Sequence, residues 1–257
     1  MNIIDTHCHI CSEKLLPLHE EILKECSELN MEIIEVGYTL ESSESAIRLA
    51  ATNKDIYASV GIHPSEYTAE KPEELYSRLY SLSLSPKVIA VGEIGLDFYW
   101  QSPKSFQYQI LELQLDLAKK RSLPVIFHVR QAYHEFYEFI KPYNFLSENA
   151  VLHCFSSDVS WARSFLNLGF YLGFDGPVTY PKNDALRQVL TFCPHEKLLC
   201  ETDCPYMPPV PYRGKPNRPA YIVEVIKKIS SIKNMDISEM SDILYKNAHR
   251  LFKIDPS

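Results

Sequence analysis

Eight short apolar runs, each followed by a stretch with helical periodicity, recur along the 257 residues at intervals of roughly thirty, the arithmetic of a barrel of β-then-α units. That alternation predicts an α/β fold: a single (β/α)8 barrel of TIM type over residues 1–257, with its active site at the C-terminal ends of the strands. Two further observations support it. Val88-Ile89-Ala90-Val91 and Val125-Ile126-Phe127 are apolar without alternation, as strands buried on both faces of a parallel sheet are. No GxGxxG follows the first run, so the rival doubly wound open sheet lacks its usual mark.

The first strand is expected at 2–5, where Ile3-Ile4 precede Asp5-Thr6-His7, with a helix at 18–30. Strand and helix pairs then follow at 32–36 and 42–52, 56–60 and 73–83, 88–91 and 105–121, 124–127 and 133–141, 150–152 and 160–168, and 170–172 and 184–192. A last strand at 197–200 leads into a long loop and helices at 219–231 and 238–251. In the fourth helix Ser105 stands ahead of Phe106, and Phe106, Ile110, Leu113 and Leu117 share one face. Pro124 opens the next strand. Prolines recur through 205–219, a stiff loop carrying Arg213, Lys215 and Arg218 around Gly214. It is read as functional, with Arg218 assigned to the plain surface.

Lys plus Arg number 26 against 33 Asp plus Glu, a formal charge of −7. The chain as a whole therefore has no electrostatic grip on nucleic acid or an anionic membrane, and a polyanionic substrate must be held by local cations or bound metal. No run approaches the ~18 apolar residues of a spanning helix, and the opening residues lack a signal peptide's cationic start and apolar core. Seven cysteines are an odd number, so a full disulfide framework is not expected and a reducing, cytoplasmic location is. Cys8-His9-Ile10-Cys11 has CxxC spacing, open to redox or zinc chemistry. No membrane and no obligate protein partner is expected.

Chemistry-bearing residues gather where the strands end. On an extended strand residues i and i+2 share a face, so His7 and His9 point together, a pair suited to a divalent metal. The fourth strand runs into Gly92-Glu93-Ile94-Gly95-Leu96-Asp97, the fifth into His128-Val129-Arg130, the sixth into His153-Cys154, and the last into Glu201-Thr202-Asp203. Barrel strand ends converge on one face. Six ligands exceed one tetrahedral ion, so His7, His9, Glu93 and Asp203 are assigned to one divalent ion, with Glu93 bridging to a second held by His128 and His153. Two ions ~3.5–4 Å apart activate water and stabilise both oxygens of a phosphoryl transfer. Zn, Mg and Mn all remain open, since imidazoles favour the first and carboxylates accept the others. His19, His134, His195 and His249 lie in or beside helices and are assigned no role.

With these residues in view, the chain resembles the TatD-type metal-dependent deoxyribonuclease family, within the amidohydrolase-like barrels. The likeness runs through Ile4-Asp5-Thr6-His7-Cys8-His9, Gly61-Ile62-His63-Pro64, Gly92 to Tyr99, Leu123 to Arg130, His153-Cys154-Phe155-Ser156, Glu201 to Tyr206, Arg213-Gly214-Lys215-Pro216-Asn217 and Asn247 to Phe252. It implies a phosphodiesterase acting on DNA, single-stranded or at frayed ends, with His63 and the 213–217 loop near the substrate phosphates and Arg130 facing the same mouth. Asp203 would orient or deprotonate the attacking water, and Glu201 would support it or take part. The family pattern keeps a serine or similar small residue near Asp175, so this chain departs there. The lysine carbamylated in some related barrels is absent from the fourth strand, where Glu93 stands. Phe98-Tyr99-Trp100 either stacks on bases or packs under the mouth. Hydrolysis of an amide, lactone or ester, including that of an aminoacyl-tRNA, is the rival within the enzyme class, and a non-catalytic metal- or nucleic-acid-binding module the rival outside it.

Overall fold

A computed structural model describes residues Met1–Asp255; the last two residues of the expected 1–257 domain lie outside it. The strands are β1 (Ile3–Cys8), β2 (Met31–Val36), β3 (Ile56–Val60), β4 (Val88–Asp97), β5 (Val125–Arg130), β6 (Ala150–Leu152), β7 (Tyr171–Phe174) and β8 (Leu198–Cys200). Each is parallel to the next, in the order of the chain. The ring closes just past β8. Cys8 bridges in parallel to Cys204, and the His9 N–H donates to the Cys204 carbonyl at 2.8 Å.

Helices α1 (His19–Glu28), α2 (Leu40–Thr52), α3 (Pro72–Leu82), α4 (Lys104–Arg121), α5 (Tyr133–Ile140), α6 (Val159–Asn167), α7 (Asp184–Phe192), α8 (Ile222–Lys233) and α9 (Ile237–Phe252) follow the strands in turn, the last two after β8. None of the helices of the described residues is long and apolar enough to cross a membrane. One apolar layer lies between strands and helices. A second fills the barrel: Ile4, Ile34, Ala90, Ile126, Val151, Tyr171 and Leu199 pack with Ala248, Leu251 and Phe252 of α9. Helix α9 thus stops the N-terminal end of the barrel, held by Asn247 Nδ2 donating to the Leu198 carbonyl at 2.9 Å and by His249 Nε2 paired with Glu32 at 2.9 Å. Only the C-terminal end is left for chemistry.

Several strands run longer than expected. β1 reaches Cys8, β4 Asp97 and β5 Arg130, because Ile94–Asp97 pair residue by residue with Phe127–Arg130. The glycines that read as the end of β4 are what allow that pairing. A side chain at Gly95, whose φ is +149°, would strike the His128 carbonyl. Helix α4 starts at Lys104 with Pro103 ahead of it and no side-chain cap, so Ser105 lies in its first turn instead of capping it.

Candidate metal centre

The period-two rule lifts side chains from the barrel interior into its mouth. Val151, Ile126 and Leu199 fill the interior; two residues on stand His153, His128 and Glu201, and two beyond the last is Asp203. On β7 Gly173, opposite Leu199 in register, makes room for Glu201: any side chain there would collide with the Glu201 carboxylate. His7 comes from β1, His9 from just beyond it, and Glu93 from within β4.

Glu93 lies at the middle of the cluster, with its two oxygens facing different imidazoles. Oε2 stands 3.5 Å from His7 Nε2 and 3.8 Å from His9 Nε2. Oε1 stands 2.9 Å from His128 Nδ1 and 2.7 Å from His153 Nε2. Asp203 Oδ1 joins the first pair, 3.8 Å from His7 Nε2 and 3.6 Å from His9 Nε2. Within each pair the ring nitrogens face each other at 3.2 Å. Burial alone would raise both carboxyls. The imidazoles, His153 foremost, hold Glu93 well below the ordinary range, and the neighbouring imidazoles, His9 foremost, hold Asp203 below it. Lone pairs of four imidazoles and two carboxylates converging in a buried pocket are a donor set fitted to divalent cations, and His7–His9–Glu93, Glu93–His128–His153 and His7–His153–Asp203 each bring ligand atoms within 4.8 Å.

In His9 and His128 the far side of the ring fixes which nitrogen faces inward. His9 Nδ1 lies 2.8 Å from the Val36 carbonyl and so donates its proton there, turning the bare Nε2 to the centre. His128 does the reverse: Nε2 donates to Asp97 Oδ2 at 2.9 Å, leaving Nδ1 to face Glu93. His63 Nδ1 accepts the Ser65 N–H at 3.1 Å, so in the neutral ring the proton sits on Nε2, 3.5 Å from Glu93 Oε1. Burial and the adjacent His128 push His63 down to about 3, so the ring is neutral.

A cavity of about 1090 Å³ opens over this cluster, lined by His63 and Arg130 as well as His9, Glu93, His128, His153 and Asp203. Arg213 and Lys215 are both exposed and do not line it; Arg213 lies over the Tyr180 ring instead, 4.1 Å from its centroid. Arg218 pairs with Glu21 and Glu25 at 2.7 Å each, a largely covered tie to α1 in place of the open surface position expected for it. Glu201 is likewise outside the cavity wall. It is buried beneath His153, 3.6 Å from His153 Nδ1, and accepts the Cys154 N–H. It stands beside that imidazole and outside the cavity wall, a place that suits the supporting role of the two expected for it. Cys8 and Cys11 are free thiols outside every candidate ligand group of the described residues, so the CxxC spacing builds neither a disulfide nor a metal site.

Four supporting residues were invisible as such in the sequence. Asp97 braces His128. Buried Glu35 accepts the Ile10 and Cys11 N–H groups at 2.8 and 2.9 Å, fixing the loop that carries His9. Asp5, its carboxyl raised to about 8 by burial, accepts the Thr202 N–H at 2.9 Å and ties β1 to the segment bearing Asp203. Asn217 Nδ2 donates to the Thr202 and Tyr206 carbonyls at 2.8 and 2.7 Å, which gives that loop residue a structural task. Asp175, the departure from the family pattern, is buried in the cavity wall, accepts the Cys154 thiol at 3.2 Å, and is pushed well up by burial.

A family model described as TatD related DNase matches residues 4–253. The metal-dependent hydrolase YabD of Bacillus subtilis strain 168, named as uncharacterized, is 34% identical over 255 residues, 98% of this chain and 100% of that one. YjjV of Escherichia coli K12, named in the same terms, is 32% identical over 254 residues, 98% of each chain. The crystal structure of this TatD homolog matches with a TM-score of 0.90 at 30% identity, covering 98% of both chains. A phosphotriesterase homology protein of E. coli, solved with phosphate in its active site, matches at a TM-score of 0.69 over 97% of this chain and 98% of that one; at 13% identity the likeness concerns the fold alone. With the barrel, the ligand cluster and these relatives together, the chain belongs to the TatD-related family of metal-dependent hydrolases.

Proposed function

We propose that this hydrolase is a deoxyribonuclease that cleaves DNA phosphodiesters, single-stranded or at frayed ends, with two divalent ions as cofactors. The observation that carries the reading is the divided carboxylate of Glu93, one oxygen facing His7 and His9 and the other His128 and His153. His7, His9 and Asp203 would hold one ion, His128 and His153 the other, with Glu93 between. When bound, a pair of Zn, Mg or Mn ions lowers the pKa of water and offsets the charge gathering on phosphoryl oxygens. Asp203, kept ionised by His9 and partly open to the cavity, is placed to orient the attacking water and accept its proton. Neutral His63 offers its Nε2–H to a phosphoryl oxygen, and Arg130 at the mouth supplies a cation. Glu201 and Asp97 hold His153 and His128 in place.

End-labelled single-stranded DNA incubated with metal-stripped protein, then with added Mg, Mn or Zn, tests this beside Glu93→Ala. Metal-dependent products absent from the variant are expected, and their ladder distinguishes end-first from internal cutting. DNA left intact by protein that has taken up metal would end the phosphodiester reading and direct attention to carbonyl substrates.

A further inference from the structure

We propose that the rim of the cavity is a stacking platform for unpaired nucleobases, with Trp100 its principal surface, so that the strand reaching Glu93 is read as a single strand. This rests on the nucleic-acid reading above and adds the residues that select the substrate. Large apolar side chains left open to water need a reason when they gather in one place. Here Tyr99 and Trp100, 50% and 54% exposed, follow β4, while Tyr206, 49% exposed, follows β8. Trp100 and Tyr206 both line the cavity that contains Glu93.

Cations lie on these rings. The Arg130 guanidinium is 3.8 Å from the Tyr99 centroid and 5.9 Å from that of Trp100, and Lys14 Nζ is 4.8 Å from that of Tyr206. A chain of net charge −7 offers a polyanion no general attraction, so cations paired with rings around an acidic, histidine-rich centre form a local pattern. It matches the two parts of a nucleotide: rings for the base face, cations for the phosphate. In a duplex the base faces are already stacked on one another, so the platform favours a strand whose bases are free. The platform is also fixed to the reaction centre, because Tyr99 and Trp100 donate their N–H groups to Asp97 Oδ1 at 2.8 and 3.2 Å while Asp97 Oδ2 receives His128.

The test uses metal-loaded protein and a short phosphorothioate-linked oligothymidylate that resists cleavage. Its binding should quench Trp100 emission, and the quench should vanish in Trp100→Ala, which keeps Trp161 as its only tryptophan. Wild type should bind this strand roughly ten- to a hundredfold more tightly than an abasic strand of the same length and linkage, the range that stacking of one or two bases gives. Trp100→Ala should shrink that ratio toward one, Trp100→Phe should restore much of it, and Leu84→Ala, exposed between α3 and β4, should keep it. Equal binding of the two strands by wild type, or an unchanged ratio in Trp100→Ala, overturns the platform. Hydrolysis of bis(p-nitrophenyl) phosphate by wild type separates the two failures. If this small diester is cut while bases make no difference, the platform alone falls; if neither it nor DNA is cut, both readings fall.

Discussion

The two flanks of the centre hold their imidazoles in different ways. On the β1–β2 flank His9 is fixed by a main-chain carbonyl, that of Val36, and its loop is pinned from below by buried Glu35. On the β4–β5 flank His128 is fixed by a side chain, Asp97, whose other oxygen holds the loop of Tyr99 and Trp100. A carbonyl of β2 is present whatever side chains surround it, so the first flank resists substitution of its neighbours. The second depends on one carboxylate serving both the imidazole and the rim. Glu93 spans the two, and so its loss cannot be confined to either.

The largest expected effect therefore belongs to Glu93→Gln. It should reduce metal-dependent hydrolysis by roughly a thousandfold or more, the several kcal/mol that metal catalysis supplies, and lower the bound metal measured by elemental analysis at both sites. Retention of two tightly held ions by this variant would remove Glu93 from its bridging place. Next comes Asp97→Asn. An amide there must present its NH2 either to His128 Nε2 or to the Tyr99 and Trp100 N–H groups, and each orientation sets donor against donor. If the ring responds by moving its proton to Nδ1, it loses the lone pair that faces Glu93. Affinity for one of the two ions should fall by about 10–100-fold, as when such supporting partners are lost elsewhere, while the ion between His7 and His9 stays. A two-site metal titration would show one weakened step; equal weakening of both would erase the difference between the flanks.

How much of this was legible in the sequence follows from the same contrast. His7, His9, His128, His153, Glu93 and Asp203 stood out because each interrupts or ends an apolar run, and barrel topology collects such ends. The ends themselves were read too short. Gly92 and Gly95 looked like a stop, whereas on a barrel strand they let β4 pair closely with β5. Asp97 was visible only as part of the Gly92–Asp97 motif; its parity with Gly95 and His128's need for an acceptor become evident once β4 and β5 are in register. Glu35 gave no sign, since it sits in a strand where an inward or outward polar residue reads alike and its partners are main-chain groups 25 and 24 positions away. Arg213 and Lys215 were legible as cations beside the last strand, but not the turn of the loop that leaves them outside the cavity. Tyr180, the ring that Arg213 covers, lies on a separate loop after β7.

Glu35→Gln carries the smallest effect on catalysis and the sharpest test of the comparison. Both Glu35 oxygens accept main-chain N–H groups, whereas glutamine brings one acceptor and an NH2 that faces either Ile10 or Cys11. An N–H left without its acceptor in a buried place costs about 1–3 kcal/mol, which denaturant unfolding of the metal-loaded protein would read directly. Metal affinity should change by less than in Asp97→Asn, because His9 Nδ1 is bonded to Val36 and not to Glu35. Chelation should destabilise the wild type and this variant by similar amounts, since an ion that binds only the folded chain stabilises it by mass action wherever its ligands stay in place. If Glu35→Gln instead shed its metal as readily as Asp97→Asn, the loop at Ile10 and Cys11 would be what aims His9, and the main-chain carbonyl would not suffice to hold that flank.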